Sequence, residues 1–232
     1  WRNAALFSSA LEAARDGWWL GFGFFVAGLW WLGAACLVEP DQFAWVLPFA
    51  VFGLPAVLAL FTGFGFGLAR LLWSAGPGRV MALAFGLGVS EWLRGVVATG
   101  FPWNSFGMAL GGNAVLAQPA SFIGLYGLNV LAVLIFASPA CLADGFSGQR
   151  KSWRSIAPVL LAILLLGAIA VGGALRLAGA HGDVVAGVRL RIMQPNLPQD
   201  DKFRADYKDQ ILDRYLSLSD RATSPTTSGV SD

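Results

Sequence analysis

The sequence predicts a polytopic α-helical membrane domain of about five spans, followed by the first strand–helix unit of an α/β layer. Three observations carry this. Of the 232 residues, 56% are hydrophobic and only 13% are charged, with a mean hydropathy of +0.62. Soluble domains average about 25% charged residues, so most of this chain belongs in a bilayer. Five long runs lack charge or nearly lack it. The charges are also segregated: fourteen of the thirty Asp, Glu, Lys and Arg residues lie after Val188, in the last 45 positions. The expected division is a transmembrane domain over residues 1–178 and the beginning of an extracytoplasmic domain over 188–232.

The first run, Gly17–Val38, is long enough to span, with Trp18/Trp19 and Trp30/Trp31 set as interfacial belts. Gly17 and Gly21 form a small-xxx-small pair that admits a neighbouring helix. The second, Phe43–Ala69, is expected to kink at Pro48 and Pro55, and Gly63, Gly65 and Gly67 offer another close-packing surface. The third, about Val80–Ala98, carries Glu91 and Arg94. The fourth, about Val115–Ala143, contains Gln118, Ser121 and Asn129, and the fifth, Ile156–Leu175, is uncharged throughout.

Arg70 and Arg79 lie between spans two and three, and Arg150, Lys151 and Arg154 between four and five. The positive-inside rule puts those loops in the cytoplasm, and so everything after span five outside. Val188–Ile192 alternates apolar and polar residues as a strand does. Asp200 or Asp201 then N-caps a helix to about Asp220, with Phe203, Tyr207, Ile211, Tyr215 and Leu218 on one stripe.

The polar constellations are few. Glu91 and Arg94, three residues apart, share a helical face. Each charge costs roughly 2.5–3.5 kcal/mol in the bilayer on insertion scales. They fit either a functional polar site or an ion pair locking span three to its neighbours. Phe101-Pro102-Trp103-Asn104 forms an aromatic turn after that span. Trp103 fits a contact for a lipid or acyl chain, or a belt tryptophan. Gln194–Gln199 stands at a strand exit, where α/β sites lie, but holds no base or nucleophile. His181 is solitary, so no metal site is expected. Cys36 and Cys141 have no His or carboxylate near them in sequence, and a disulfide between them is not expected. A net charge of +2 gives no case for nucleic acid.

GWWLGFGFFVAGLWWL (17–32), SEWLRG (90–95), TGFPWNSFG (99–107) and VRLRIMQPNLPQDDKF (188–203) together resemble the apolipoprotein N-acyltransferase family, in order and across almost the whole chain. The resemblance implies a multi-pass bacterial inner-membrane enzyme with a nitrilase-like (carbon–nitrogen hydrolase) domain on the periplasmic side. It implies transfer of an acyl chain from a phospholipid, through a thioester on a catalytic cysteine, to the N-terminal cysteine amine of a diacylglyceryl apolipoprotein. No cofactor is implied. The family's Glu–Lys–Cys triad matches no residue of this sequence, and Cys36 and Cys141 fall at membrane positions. The triad is expected beyond Asp232, and the family's first segments and final span are expected outside the 232 residues. The chain alone is therefore expected to be inactive. Trp103, Phe203 and Gln194 are the expected substrate or lipid contacts; Phe203 stands where the family usually has Trp. Glu91 and Arg94 are assigned to a structural polar pair. The competing expectations are a polytopic transporter, or a non-catalytic membrane anchor that binds lipoproteins.

Overall fold

The structure is a computed structural model that describes residues 2–74, 76–146, 153–180, 192–197 and 205–220. All regular structure among these is helical. α1 (Arg2–Leu29) runs on into a 3-10 segment, Trp30–Leu37, and is followed by the short α2 (Pro40–Phe43). A π-helical turn, Phe49–Gly53, leads into α3 (Leu54–Leu71). α4 (Gly78–Val96), the one-turn α5 (Met108–Gly111), α6 (Ala120–Ala137) and α7 (Trp153–Ala178) complete the apolar part, and α8 (Lys208–Asp220) follows.

Five segments are long and apolar enough to cross a membrane: Ser8–Leu37, Pro40–Leu71, Gly78–Thr99, Ala120–Leu142 and Ser155–Ala178. Their number is the one read from the sequence, but some bounds differ. The first reaches nine residues further toward the N-terminus than Gly17, because the helix of the apolar run continues back through Glu12, Arg15 and Asp16. Where a kink is expected at Pro48 and Pro55, a π turn lies between them, one of the recognised causes of helix bending. Residues 115–119, expected in span four, are turns. The Asn113 Oδ1 accepts the amides of Val115 (2.9 Å) and Leu116 (3.3 Å), satisfying them outside a helix, and Pro119 takes the N-cap of α6. α6 itself is interrupted at Gly124, whose φ of +64° is left-handed.

The predicted strand Val188–Ile192 lies outside the described residues except for Ile192, which like the rest of 192–197 has no regular structure. Of the helix expected from Asp200, the described part is a 3-10 turn, Ala205–Tyr207, and α8.

By its contacts the chain divides into two units, residues 1–33 with 46–180, and residues 34–45 with 181–232. The described part of the second includes α2, the 192–197 stretch, the 3-10 turn Ala205–Tyr207 and α8, whose Leu212 and Leu216 are exposed. In the first, α1 packs on α3, α3 on α4, α4 on α6 and α6 on α7. Lipid is as apolar as leucine, so helices in a bilayer associate through close packing and hydrogen bonds rather than water exclusion. The α1–α3–α4 contact meets that requirement with small residues. A Cβ on Gly63 would stand 2.8 Å from the Ala14 carbonyl, and one on Gly86 only 2.3 Å from the Gly65 carbonyl. The Ser90 hydroxyl of α4 donates to the Phe61 carbonyl of α3 at 2.7 Å, and the Trp18 indole of α1 to the Ala56 carbonyl at 3.0 Å. Arg79 at the start of α4 donates to Ala140 just past α6, and Arg176 near the end of α7 donates to Gln118 just before α6. α6 is thus antiparallel to both.

Candidate functional site: a buried guanidinium holding an aromatic loop

The Glu91–Arg94 pair lies on the inner face of α4, with side chains 2% and 1% exposed. The pairing is bidentate: Arg94 Nε donates to Glu91 Oε1 at 3.0 Å and Nη2 to Oε2 at 2.6 Å. This fork geometry is the strongest that the two groups can make. The guanidinium also reaches beyond its own helix. Nη1 donates to the Trp103 carbonyl at 2.7 Å and to the Phe101 carbonyl, and Nη2 lies 3.5 Å from the Ser105 hydroxyl. All five N–H groups of Arg94 are therefore used. Ser105 in turn donates to the Pro102 carbonyl at 2.7 Å.

The far side of the pair is closed by α6 and α1. Asn129 on α6 donates to Glu91 Oε2 at 3.4 Å and accepts the Gly107 amide at 2.6 Å. Phe25 on α1 lays its ring over the guanidinium, 5.1 Å from its carbon. A single charged pair thus ties α1, α4, α6 and the 101–107 loop together.

The loop needs that hold. α4 ends at Val96, and Ala98 (φ +51°), Thr99 (+73°), Gly100 (+81°) and Asn104 (+56°) all have left-handed backbone. For residues with a Cβ this costs roughly 1–2 kcal/mol each, and the β-branched Thr99 is the most strained. Such conformations persist only where surrounding contacts over-determine them. Here the Phe101 amide returns to the Arg94 carbonyl at 2.8 Å, and Asn104 rests on the bare backbone of Gly28. A Cβ at Gly28 would stand 1.9 Å from Asn104 Nδ2. Gly28→Val is accordingly expected to push the loop off α1. Limited proteolysis should then cut between residues 98 and 106 at least several-fold faster than in the wild type; equal rates would show that Gly28 does not seat the loop.

The loop presents aromatic surface. Trp103 stays 52% exposed, stacked on Trp31 with centroids 5.6 Å apart and planes 22° apart. Phe101 also packs against Trp103, with centroids 5.4 Å apart, and the Trp31 indole donates to the Gly28 carbonyl at 3.1 Å.

Three of the residues singled out in the sequence, Glu91, Arg94 and Trp103, come together here. Gln194 is exposed in the second unit, and Phe203 lies outside the described residues. Sequence reasoning missed Phe25, Ser105 and Asn129 as partners. For Asn129 the signal was present, as an amide side chain in an apolar run; its partner 38 residues away was not visible.

A multi-span helical membrane protein with a buried ion pair bracing an aromatic loop at one end of its bundle is the class that fold and site define. The family model for the apolipoprotein N-acyltransferase N-terminal domain matches residues 3–138. The chain belongs to the apolipoprotein N-acyltransferase family. It is 54% identical over 220 residues to the apolipoprotein N-acyltransferase of Rhodopseudomonas palustris and 52% identical over 220 residues to that of Bradyrhizobium diazoefficiens. It is 46% identical over 212 residues to that of Brucella suis. The first two alignments cover 95% of this chain and 40% of the relative, and the third 91% and 39%. The chain thus spans about 40% of the length of the curated relatives it matches.

Proposed function

We propose that this chain is the membrane part of an enzyme that moves an acyl chain from a phospholipid to the N-terminal amine of a diacylglyceryl apolipoprotein. Its place is the bacterial inner membrane, with the residues after α7 on the periplasmic side. The observation that supports this most directly is the braced loop, which holds Trp103 half exposed at the end of an apolar bundle. In this reading residues 1–178 anchor the enzyme and admit lipid, and residues 188–232 begin a nitrilase-like domain. Gln194 and Phe203 stand near the mouth of its site.

The chemistry expected of the family divides a difficult transfer into two substitutions. A cysteine thiolate attacks the acyl ester carbonyl of the phospholipid, forming a thioester and releasing a lysophospholipid. The apolipoprotein amine then attacks the thioester, loses a proton and regenerates the thiolate. A Glu base and a Lys that stabilises the developing oxyanion complete the machinery. None of these three is matched in the 232 residues, so the membrane part contributes substrate access rather than bond making. These residues alone are expected to form no acyl-enzyme with phospholipid; a thioester detected on them by mass spectrometry would overturn that assignment.

Trp103→Ala tests the lipid contact cleanly, because Arg94 holds the backbone at 103 and not the indole. Removing one well-packed aromatic contact is worth roughly 1 kcal/mol or somewhat more, so acyl transfer by the full-length enzyme should fall about fivefold to tenfold. An unchanged rate in both detergent and membranes would take Trp103 out of the site.

A further inference from the structure

A second polar feature, outside the braced loop, sits where the end of α7 meets the start of α6. Arg176 lies in the last turn of α7, at the end of the fifth span. Among the described residues its Nη1 alone is engaged, donating to Gln118 Oε1 at 3.1 Å, to the Gln118 carbonyl at 3.4 Å and to the Ser121 hydroxyl. Among the described residues nothing accepts from its Nε and Nη2. Those two nitrogens form the edge of a guanidinium that pairs with two oxygens at once. The contrast with Arg94, which spends every donor inside the protein, is direct.

The guanidinium is held in a fixed pose. It stacks over Phe122, 5.3 Å from the ring centre, and Phe122 is itself 82% exposed. Beside it a groove of about 460 Å³ between α6 and α7 is lined by Phe122, Ala168, Ile169 and Gly172. Nothing stands within 4 Å of where a Cβ of Gly172 would be. The groove is apolar, lies along a membrane span and is capped by a cation whose Nε and Nη2 meet no acceptor among the described residues.

We propose that this groove is a phospholipid site, with one phosphate on the Nε/Nη2 edge of Arg176 and one acyl chain lying along Gly172 and Ile169. The occupant follows from the two ends of the site together. Within a span an apolar groove is filled by hydrocarbon rather than water, and at the interface the free edge of a guanidinium matches two phosphate oxygens. The site does not depend on the acyl-transfer reading, and its test requires no turnover.

The test is native mass spectrometry of the protein, delipidated and then incubated with dioleoylphosphatidylglycerol or with dioleoylglycerol, which has the same chains and no phosphate. The wild type should retain the phospholipid and lose the diacylglycerol. Arg176→Gln should lower phospholipid retention roughly tenfold. Gly172→Leu, which places a side chain in the groove and leaves Arg176 in place, should lower it as much while keeping the wild-type helicity. This second variant decides alone if Arg176→Gln fails to fold. Equal retention of the two lipids by the wild type would overturn the headgroup assignment. Wild-type retention by either folded variant would overturn the site.

Discussion

Replacing Arg94 with alanine is expected to destabilise the bundle by about 3–5 kcal/mol, the cost of leaving a buried carboxylate without its partner. The loss is large because Arg94 serves two structures at once. Glu91 forfeits both arms of its pairing, and the Phe101 and Trp103 carbonyls forfeit their donor. Arg94→Lys should fall between the wild type and alanine. Lysine keeps the charge but has a single nitrogen, which cannot face a carboxylate and two carbonyls in a fixed plane. The double substitution Glu91→Leu with Arg94→Leu separates the two duties. Without either charge, much of the melting temperature should return, since apolar replacements of buried pairs are often neutral or better. The loop should stay loose, because its carbonyls still lack a donor. Melting followed by intrinsic fluorescence, and proteolysis of the 98–106 stretch, read these two outcomes separately. An Arg94→Ala variant that melts with the wild type would remove the pair as a brace.

Gly86→Val is the second large effect. The α3–α4 contact runs backbone to backbone: a Cβ on Gly86 would meet the Gly65 carbonyl at 2.3 Å and the Ala69 amide nitrogen at 2.9 Å. Neither is the end of a flexible side chain, so relief requires the helices to separate. Ser90 would then draw away from the Phe61 carbonyl as well. Overpacking of this kind costs about 1–3 kcal/mol, and here it also weakens an interhelical hydrogen bond. Gly23→Ala is the matched control. Nothing lies within 4 Å of its Cβ position, so alanine should leave stability unchanged or raise it by up to about 1 kcal/mol. Comparable melting of the Gly86→Val and Gly23→Ala proteins would mean that the seam tolerates separation.

Much of this architecture was legible before any coordinates. Five spans follow from uninterrupted apolar runs, because few other structures can use some twenty such residues in succession. Glu91 and Arg94 were legible as a pair because helical periodicity places i and i+3 side by side. What the guanidinium holds was not legible, since backbone carbonyls leave no mark in a sequence. Asn129 is a further case: its bond to Glu91 spans 38 positions and depends on how α4 and α6 pack. The misplaced start of span four has a local cause. Hydropathy over Val115–Ala117 reads as membrane, but the Asn113 side chain takes two amides out of the helix, and Pro119 resets it. The kink at Gly124 was equally silent, as glycine occurs in many straight membrane helices.

The grip on the loop has one more consequence. Arg94 holds residues 101 and 103 by their carbonyls, a group that every amino acid carries. The position of the loop is thereby uncoupled from the identity of the side chains it displays. Substitution at 101 or 103 can vary the surface the loop presents while the scaffold beneath it stays put. Such a loop is open to change by mutation or by design, whereas the arginine beneath it is not.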